Sequence, residues 1–423
     1  MLKPFMSTSI RRMLSLTMLQ YRFLSSSSVS AFVGHNKYYY LGFSRQQRLS
    51  SNYCYGLFHT SSSLQAESRS TPETIRQESM EEMDQIVKFF ATSTVTTTTK
   101  PKLLKSHREI SEYIDENFDS LLFDCDGVLY RGADVIPNGP ECLQSLMKRG
   151  KKIFFVTNNA ASSRKQLRDK LAKFMNCPDL KEEQMIGSAY SASRYLMREL
   201  LLNKKEKEEN KLPPHVHVIG TEGLCEEIRN AGFIVSGGPG SDDPSRVISA
   251  MSRDDLESYE FLEDTENGID AVVIGLDTAF DYRKLCIAVV LLQRYPNALL
   301  VATNKDSYDL VGADARHLPG NGALVAAVEA ASERTAIVTG KPSPILADLI
   351  SEEHGLNPTR TLMVGDRLDT DIRFGLDGGM SSALVLTGCT TAEKIMQLGV
   401  TNESKSNEPM PTVIFPHMGL MSL

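Results

Sequence analysis

The chain has 423 residues, 41% of them hydrophobic and 23% charged, with a formal net charge of −7. That length allows two or three domains of ordinary soluble composition. The acidic balance offers no basic face to a nucleic acid, and no run approaches the roughly 18 apolar residues a membrane helix needs. Seven cysteines without a C-x-x-C pair make neither a disulfide framework nor a zinc site, so a reducing compartment is expected.

No acidic residue precedes Glu67, whereas Lys3, Arg11, Arg12, Arg22, Lys37, Arg45 and Arg48 lie there among serine runs such as Ser25–Ser28. This pattern predicts a transit peptide over residues 1–66. Arg11-Arg12-Met13-Leu14-Ser15-Leu16 suits the basic amphipathic helix of a mitochondrial signal. Val29-Ser30-Ala31-Phe32-Val33 is similar to the cleavage motif of plastid presequences. The expectation is an organelle, plastid ahead of mitochondrion, and cytoplasm if the segment is only a tail. Residues 67–105, with Thr96–Thr99, read as a polar linker with one short helix at Met80–Thr92.

A strand at Leu121–Asp124, a helix at Pro140–Lys148 ended by Gly150, a strand at Ile153–Thr157 and a helix at Ser162–Met175 follow. Helical crossovers between apolar strands mean a parallel sheet, with ligands beyond its carboxyl edge. The first strand runs into Asp124-Cys125-Asp126-Gly127. Side chains two apart on an extended chain share a side, so Asp124 and Asp126 converge while Cys125 turns away. Two carboxylates on one spot repel and imply a cation, Mg2+ above all, because it takes oxygen ligands and accompanies phosphates. The pair suits a nucleophile beside an acid/base, and a solvated turn would look the same. A calcium loop is excluded: counted from Asp124 it needs an oxygen ligand at Val128, glycine at Leu129 and glutamate at Val135. Cys125 to Arg131 has the C-x5-R spacing of cysteine phosphatases, but its interior Asp-Gly-Val-Leu-Tyr is no glycine-rich phosphate cradle. The second strand ends in Thr157-Asn158-Asn159, whose hydroxyl, amides and following N–H groups suit phosphate oxygens, or equally the cap of the next helix.

The charged run Asn203–Asn210 followed by Pro213-Pro214 marks the start of an inserted domain. Its bounds are set at 205–303, between core segments 106–204 and 304–423. Within it, strands are expected at His217–Gly220, Phe233–Ser236, Ala271–Gly275 and Leu299–Ala302, with helices at Glu222–Ala231 and Asp281–Tyr295. Gly237, Gly238 and Gly240 read as a turn, since the Ser-Asp-Asp-Pro that follows cannot open a dinucleotide helix. His215 and His217 share a strand face without a third metal ligand and read as core or surface histidines. The core pattern resumes with a strand at Ala336–Thr339. Gly340-Lys341-Pro342-Ser343-Pro344 follows, Ser343 capping a helix that ends at Gly355. Pro342 and Thr335 break the Walker pattern and leave Lys341 as an isolated cation at a strand end; an ordinary surface lysine would look the same. The strand Thr361–Val364 ends in Gly365-Asp366-Arg367-Leu368-Asp369-Thr370-Asp371, Gly365 providing a sharp turn and Asp366 completing the cation site. Strands at Ala383–Leu386 and Thr412–Phe415 finish the sheet.

Taken together, Asp124-Cys125-Asp126-Gly127-Val128-Leu129, Phe155-Val156-Thr157-Asn158-Asn159, Gly340-Lys341-Pro342-Ser343-Pro344 and Met363–Asp371 resemble, in this order, the four motifs of the haloacid dehalogenase superfamily. The resemblance covers roughly residues 110 to 420, and the local wording looks like the branch of phosphoglycolate, pyridoxal phosphate and 4-nitrophenyl phosphatases. It implies an α/β fold, a doubly wound parallel sheet core with an inserted α/β cap domain, and a Mg2+-dependent phosphomonoester hydrolase. Asp124 would be the nucleophile, giving an aspartyl-phosphate, and Asp126 the general acid/base. Thr157, Asn158, Asn159 and Lys341 would bind the phosphoryl group. Asp124, Asp366 and Asp126 through its backbone carbonyl would hold the metal, with Asp371 in support. The implied partner is a small-molecule phosphomonoester, and a homodimer through the cap is expected. A receiver-type signalling module lacks the insertion and the second acid, while a mutase would share the motifs and differ only in its products. In Thr303-Asn304-Lys305-Asp306-Ser307-Tyr308-Asp309, Asp309 stands where pyridoxal phosphate phosphatases of this branch carry histidine. That places 2-phosphoglycolate ahead of pyridoxal phosphate or a broad range of small phosphates, with Lys305 and Arg316 as candidate cations for its carboxylate.

Overall fold

Leu121 and Phe123 share one buried face with Phe155, Val364 and Val385, while Leu122 lies on the other with Phe154, Val156, Met363 and Phe374. A sheet covered on both faces needs such continuous apolar strands. The computed structural model describes residues 71–92, 100–202, 213–239, 268–311, 316–400 and 408–422. The transit peptide expected over 1–66, the charged run 203–210 and Gly240 lie outside them. The described residues all fall in one unit that begins at Ala66.

In chain order come α1 (Pro72–Thr92), β1 (Lys102–Leu103), α2 (His107–Asn117), β2 (Ser120–Phe123), the hairpin β3 (Tyr130–Arg131) and β4 (Asp134–Val135), and α3 (Gly139–Lys148). Next are β5 (Lys152–Thr157), α4 (Arg164–Phe174), β6 (Met185–Gly187), α5 (Ser188–Leu196), β7 (His215–Ile219), α6 (Glu222–Asn230), β8 (Ile234–Gly237) and β9 (Ala271–Ile274). Then follow α7 (Tyr282–Arg294), β10 (Leu299–Ala302), the hairpin β11 (Tyr308–Val311) and β12 (Arg316–Pro319), α8 (Asn321–Ser332), β13 (Ile337–Val338) and α9 (Pro344–His354). The chain closes with β14 (Thr361–Gly365), a π-helical turn at Leu368–Ile372, α10 (Arg373–Asp377), β15 (Ser381–Val385), α11 (Ala392–Val400) and β16 (Val413–Phe415). The helix starts are written in the sequence: Ser106 with Glu109 and Ser163 with Gln166 form capping boxes, and Ser343 with Pro344 opens α9.

Among the described residues, seven strands form a parallel sheet in the order β1-β16-β15-β14-β2-β5-β6, and five form a second in the order β13-β10-β9-β7-β8. His215 and His217 are core residues of the second sheet; His217 Nδ1 lies 3.2 Å from Ser236 Oγ, and burial pushes its ring down to about 4.

Two expectations change. The pattern at Ala336–Thr339 suggests a core strand, but Ile337–Val338 pairs with Val301 and Ala302 at the edge of the five-stranded sheet. Two apolar residues cannot specify a partner, and α8, whose Val325 and Val328 pack on Val272 and Leu300, carries the chain to that edge. The linker reading also fails in part, because α1 runs 21 residues and buries Ile75, Ser79, Met83 and Ile86. Those four lie three or four apart on one face, a stripe too narrow to stand out among the surrounding charges. Lys102–Leu103 then adds an edge strand beside β16.

Candidate active site

Parallel register brings three strand ends to one edge: Phe123 pairs with Val364 on one side and Phe155 on the other. Asp124, Thr157 and Asp366 therefore leave neighbouring strands together. The Asp124 N–H still donates to Val364 O at 2.9 Å, which fixes the first acid. Cys125 then turns into the core, while Asp126 is exposed and accepts a hydrogen bond from Tyr130 Oη at 3.3 Å. Burial, with the two flanking carboxylates, pushes the Cys125 thiol well above its ordinary range, the reverse of what a thiolate nucleophile needs.

Lys341, on the turn between β13 and α9, is 2% exposed. Its ammonium donates to Asp124 Oδ1 at 2.6 Å, Asp371 Oδ1 at 2.7 Å and Val156 O at 2.8 Å, a use for each of its three protons. Asn158 brings the turn into place. Its Oδ1 accepts from the Lys341 N–H at 2.8 Å, and its Nδ2 donates to Lys341 O at 3.0 Å and to both Asp306 oxygens at 3.1 Å. Thr157 Oγ1 accepts from the Asn159 N–H at 3.1 Å, and Asn159 Oδ1 accepts from the Ala161 N–H at 2.8 Å. The α4 cap falls to Ser163, so neither asparagine performs it.

Asp371 Oδ2 accepts the N–H groups of Asp366 and Arg367, both at 3.1 Å, and Asp366 Oδ2 accepts from the Cys389 N–H at 2.6 Å. A Cβ on Gly365 would stand 2.1 Å from the Asp371 Cβ, so this glycine serves close approach rather than the sharp turn expected of it. One on Gly388 would stand 1.8 Å from Asp366 Oδ2.

Among the described residues, ligand atoms of Asp124, Asp366 and Asp371 all lie within 4.8 Å of one another. The carboxylate of Asp126 is not in this trio, and Asp371, expected only in support, is. Burial and mutual repulsion raise Asp124 well above the carboxylate range and Asp366 to about 7. Burial alone would lower Lys341, but Asp124 and Asp371 hold it above its ordinary value. Three buried acids against one ammonium leave surplus negative charge on hard oxygen donors, which fits a divalent cation. Asp371 is committed on both oxygens, so Asp124 and Asp366 are the better donors.

Lys305, expected to face a substrate, pairs with Glu329 of α8 at 2.7 Å, and Arg316 is exposed on β12. Sequence reasoning passed over Arg367. Its guanidinium carbon sits 5.7 Å over the Tyr308 ring, which stacks on His317 at 3.8 Å, and Asp369 holds its side chain at 3.0 Å. Its place beside Asp366 was the available signal. Asp306, half-buried and raised by that burial, was missed as a partner of Asn158.

Residues 121–234 match the family model described as haloacid dehalogenase-like hydrolase, and residues 338–411 a second described as HAD-hydrolase-like. The chain is 38% identical over 290 residues to glycerol-3-phosphate phosphatase of Gallus gallus, covering 68% of this chain and 85% of that protein. It is 34% identical over 304 residues to the chloroplastic phosphoglycolate phosphatase 1A of Arabidopsis thaliana, covering 72% and 76%. The solved p-nitrophenyl phosphatase from Archaeoglobus fulgidus superposes with a TM-score of 0.56 at 26% identity, covering 72% of this chain and 98% of that one.

Proposed function

Because the chain belongs to the haloacid dehalogenase-like hydrolases and is a phosphoric monoester hydrolase, we propose that it is a Mg2+-dependent 2-phosphoglycolate phosphatase working through an aspartyl-phosphate on Asp124. The observation that carries the chemistry is the buried Lys341 ammonium clamped between Asp124 and Asp371 at 2.6 and 2.7 Å. It holds the nucleophile's carboxylate at the sheet edge and offers positive charge where phosphoryl oxygens arrive.

Asp124 attacks phosphorus, and the bond to the leaving alkoxide breaks. Asp126, exposed at the mouth and steadied by the Tyr130 hydroxyl, gives that oxygen its proton and then takes one from the water that cleaves the aspartyl-phosphate. Thr157 and the Asn158-positioned turn complete the phosphoryl seat. Asp124, Asp366 and the Asp126 carbonyl would hold Mg2+, which when bound neutralises surplus charge and polarises the phosphoryl group. Asp126→Asn is expected to lose about 10²-fold or more on an alkyl phosphate but clearly less on 4-nitrophenyl phosphate, whose leaving group needs no proton. Equal losses on the two substrates would remove Asp126 from the acid's role.

Similarity to the Arabidopsis phosphoglycolate phosphatase supports the substrate reading. The test compares kcat/KM for 2-phosphoglycolate, glycerol 3-phosphate, pyridoxal phosphate and 4-nitrophenyl phosphate in one Mg2+ buffer. The first is expected to lead. A tenfold preference for any other, about 1.4 kcal/mol in transition-state binding, would sink it.

A further inference from the structure

The helix α1 lies outside both segments that match the family models, 121–234 and 338–411, and the chemistry above uses none of its residues. It nevertheless reaches both loops that carry the acids. Met83 and Ile86, fully buried, pack with Leu368 and Ile372 of the turn that bears Asp371, and with Leu386, Ala392 and Ile395. Glu82 Oε2 accepts the N–H of Ala392 at 2.9 Å, satisfying an otherwise orphan donor at the start of α11. Just upstream, Cys389 N–H donates to Asp366 Oδ2 at 2.6 Å, Thr390 N–H to Asp366 O at 3.1 Å, and Thr387 Oγ1 to Gly127 O at 2.5 Å. One short loop thus touches both acid motifs and is tied at its far end to Glu82. On the other side Glu78 pairs with Arg131 at 3.1 Å, next to the Tyr130 that holds Asp126.

We propose that α1 is a positioning element of the active site and that Glu82, through Ala392 and the 387–391 loop, sets the orientation in which the Asp366 carboxylate takes its divalent cation. Groups that orient a metal-binding side chain without touching the metal commonly change affinity by about 10–100-fold when removed. Packing alone would not require the Glu82 bond, since Met83 and Ile86 already anchor the helix. The inference rests on the cation reading of the acid cluster, and its readout is metal affinity rather than turnover.

The experiment titrates Mg2+ calorimetrically into the full chain and into Glu82→Gln and Glu82→Ala, with amide exchange followed over residues 387–392. Glu82→Ala is expected to weaken Mg2+ binding about tenfold or more and to speed exchange at Cys389 and Ala392, while Glu82→Gln, which keeps an acceptor, retains most of the affinity. A Glu82→Ala protein whose Mg2+ Kd stays within about twofold of the parent overturns the proposal whatever its thermal stability. If Glu82→Ala does not fold, Glu82→Asp, with its carboxylate drawn back from Ala392, makes the same comparison. A parent chain that binds no Mg2+ overturns the cation reading and this inference with it, and is told apart because the loss then appears before any substitution.

Discussion

Asp124→Asn is expected to lower kcat by more than about 10⁴-fold on every phosphomonoester while the protein stays folded. The amide keeps the size of the carboxylate and an oxygen for Lys341, but it is no nucleophile. The substitution also removes one of three mutually repelling buried charges, Asp124 being already raised by burial and by Asp366 and Asp371. Stability should therefore hold or rise, because burial of the Asp124 charge outweighs its pairing with Lys341 and Asp371 still pairs that ammonium. Cys125→Ala is the control: the thiol sits in the core on the side away from the acids, so activity should survive at the cost of a small packing defect. Product release on 4-nitrophenyl phosphate, with phosphoenzyme detected by mass, measures both. Residual activity of about a hundredth or more in Asp124→Asn, or a folded but inactive Cys125→Ala, would end the aspartate mechanism.

Lys341→Met should be damaging twice over. The lysine is buried and makes three charge-bearing or backbone contacts, so its loss leaves Asp124 and Asp371 facing each other unpaired. Breaking a buried pair from one side costs about 3–5 kcal/mol, and removing a cation that stabilises a transferring phosphoryl group costs about 10³-fold in kcat. Lys341→Arg should rescue little, because a planar guanidinium cannot aim three donors at acceptors arranged around one nitrogen. The penalty has a direction in pH. Asp366 is raised from 3.8 to about 7 in the fold, so its ionisation destabilises the metal-free protein as pH climbs from about 4 to 7, and that destabilisation is absent below the lower value. Lys341 holds Asp366 down, so without it the loss runs on past about pH 7, and denaturant melts of the variant should show their largest deficit against the parent there. A Lys341→Met protein as stable as the parent and within about tenfold of its activity would mean the ammonium is not central.

Much of this site was readable because its residues sit one or two positions beyond apolar strands. Leu121 to Asp124 and Thr361 to Asp366 each announce a buried strand and the acid that ends it, and parallel strands deliver their ends to one edge without further information. Other elements were not readable in the same way. Ile337–Val338 has no pattern that chooses between two sheets, so a cut at residue 303 would leave β13 in one segment and its partner β10 in the other. Lys305 offered a cation, but whether it meets a substrate or Glu329 depends on where α8 lies.

The amino-acid sequence by itself determined the alternating architecture, the two acid-bearing strand ends and the lysine turn, since each follows from local periodicity and from residue types with few other uses. Tertiary structure alone decided which carboxylates share a site. Asp126, two residues from Asp124, stays at the mouth, whereas Asp371, almost two hundred and fifty residues away, shares its lysine. It also decided that a helix read as part of a linker lies against the turn that bears Asp371. Sequence spacing constrains neighbours along one strand, but the energy of a buried charge is set by whatever the fold brings within a few ångströms, and that follows only from packing of the whole chain.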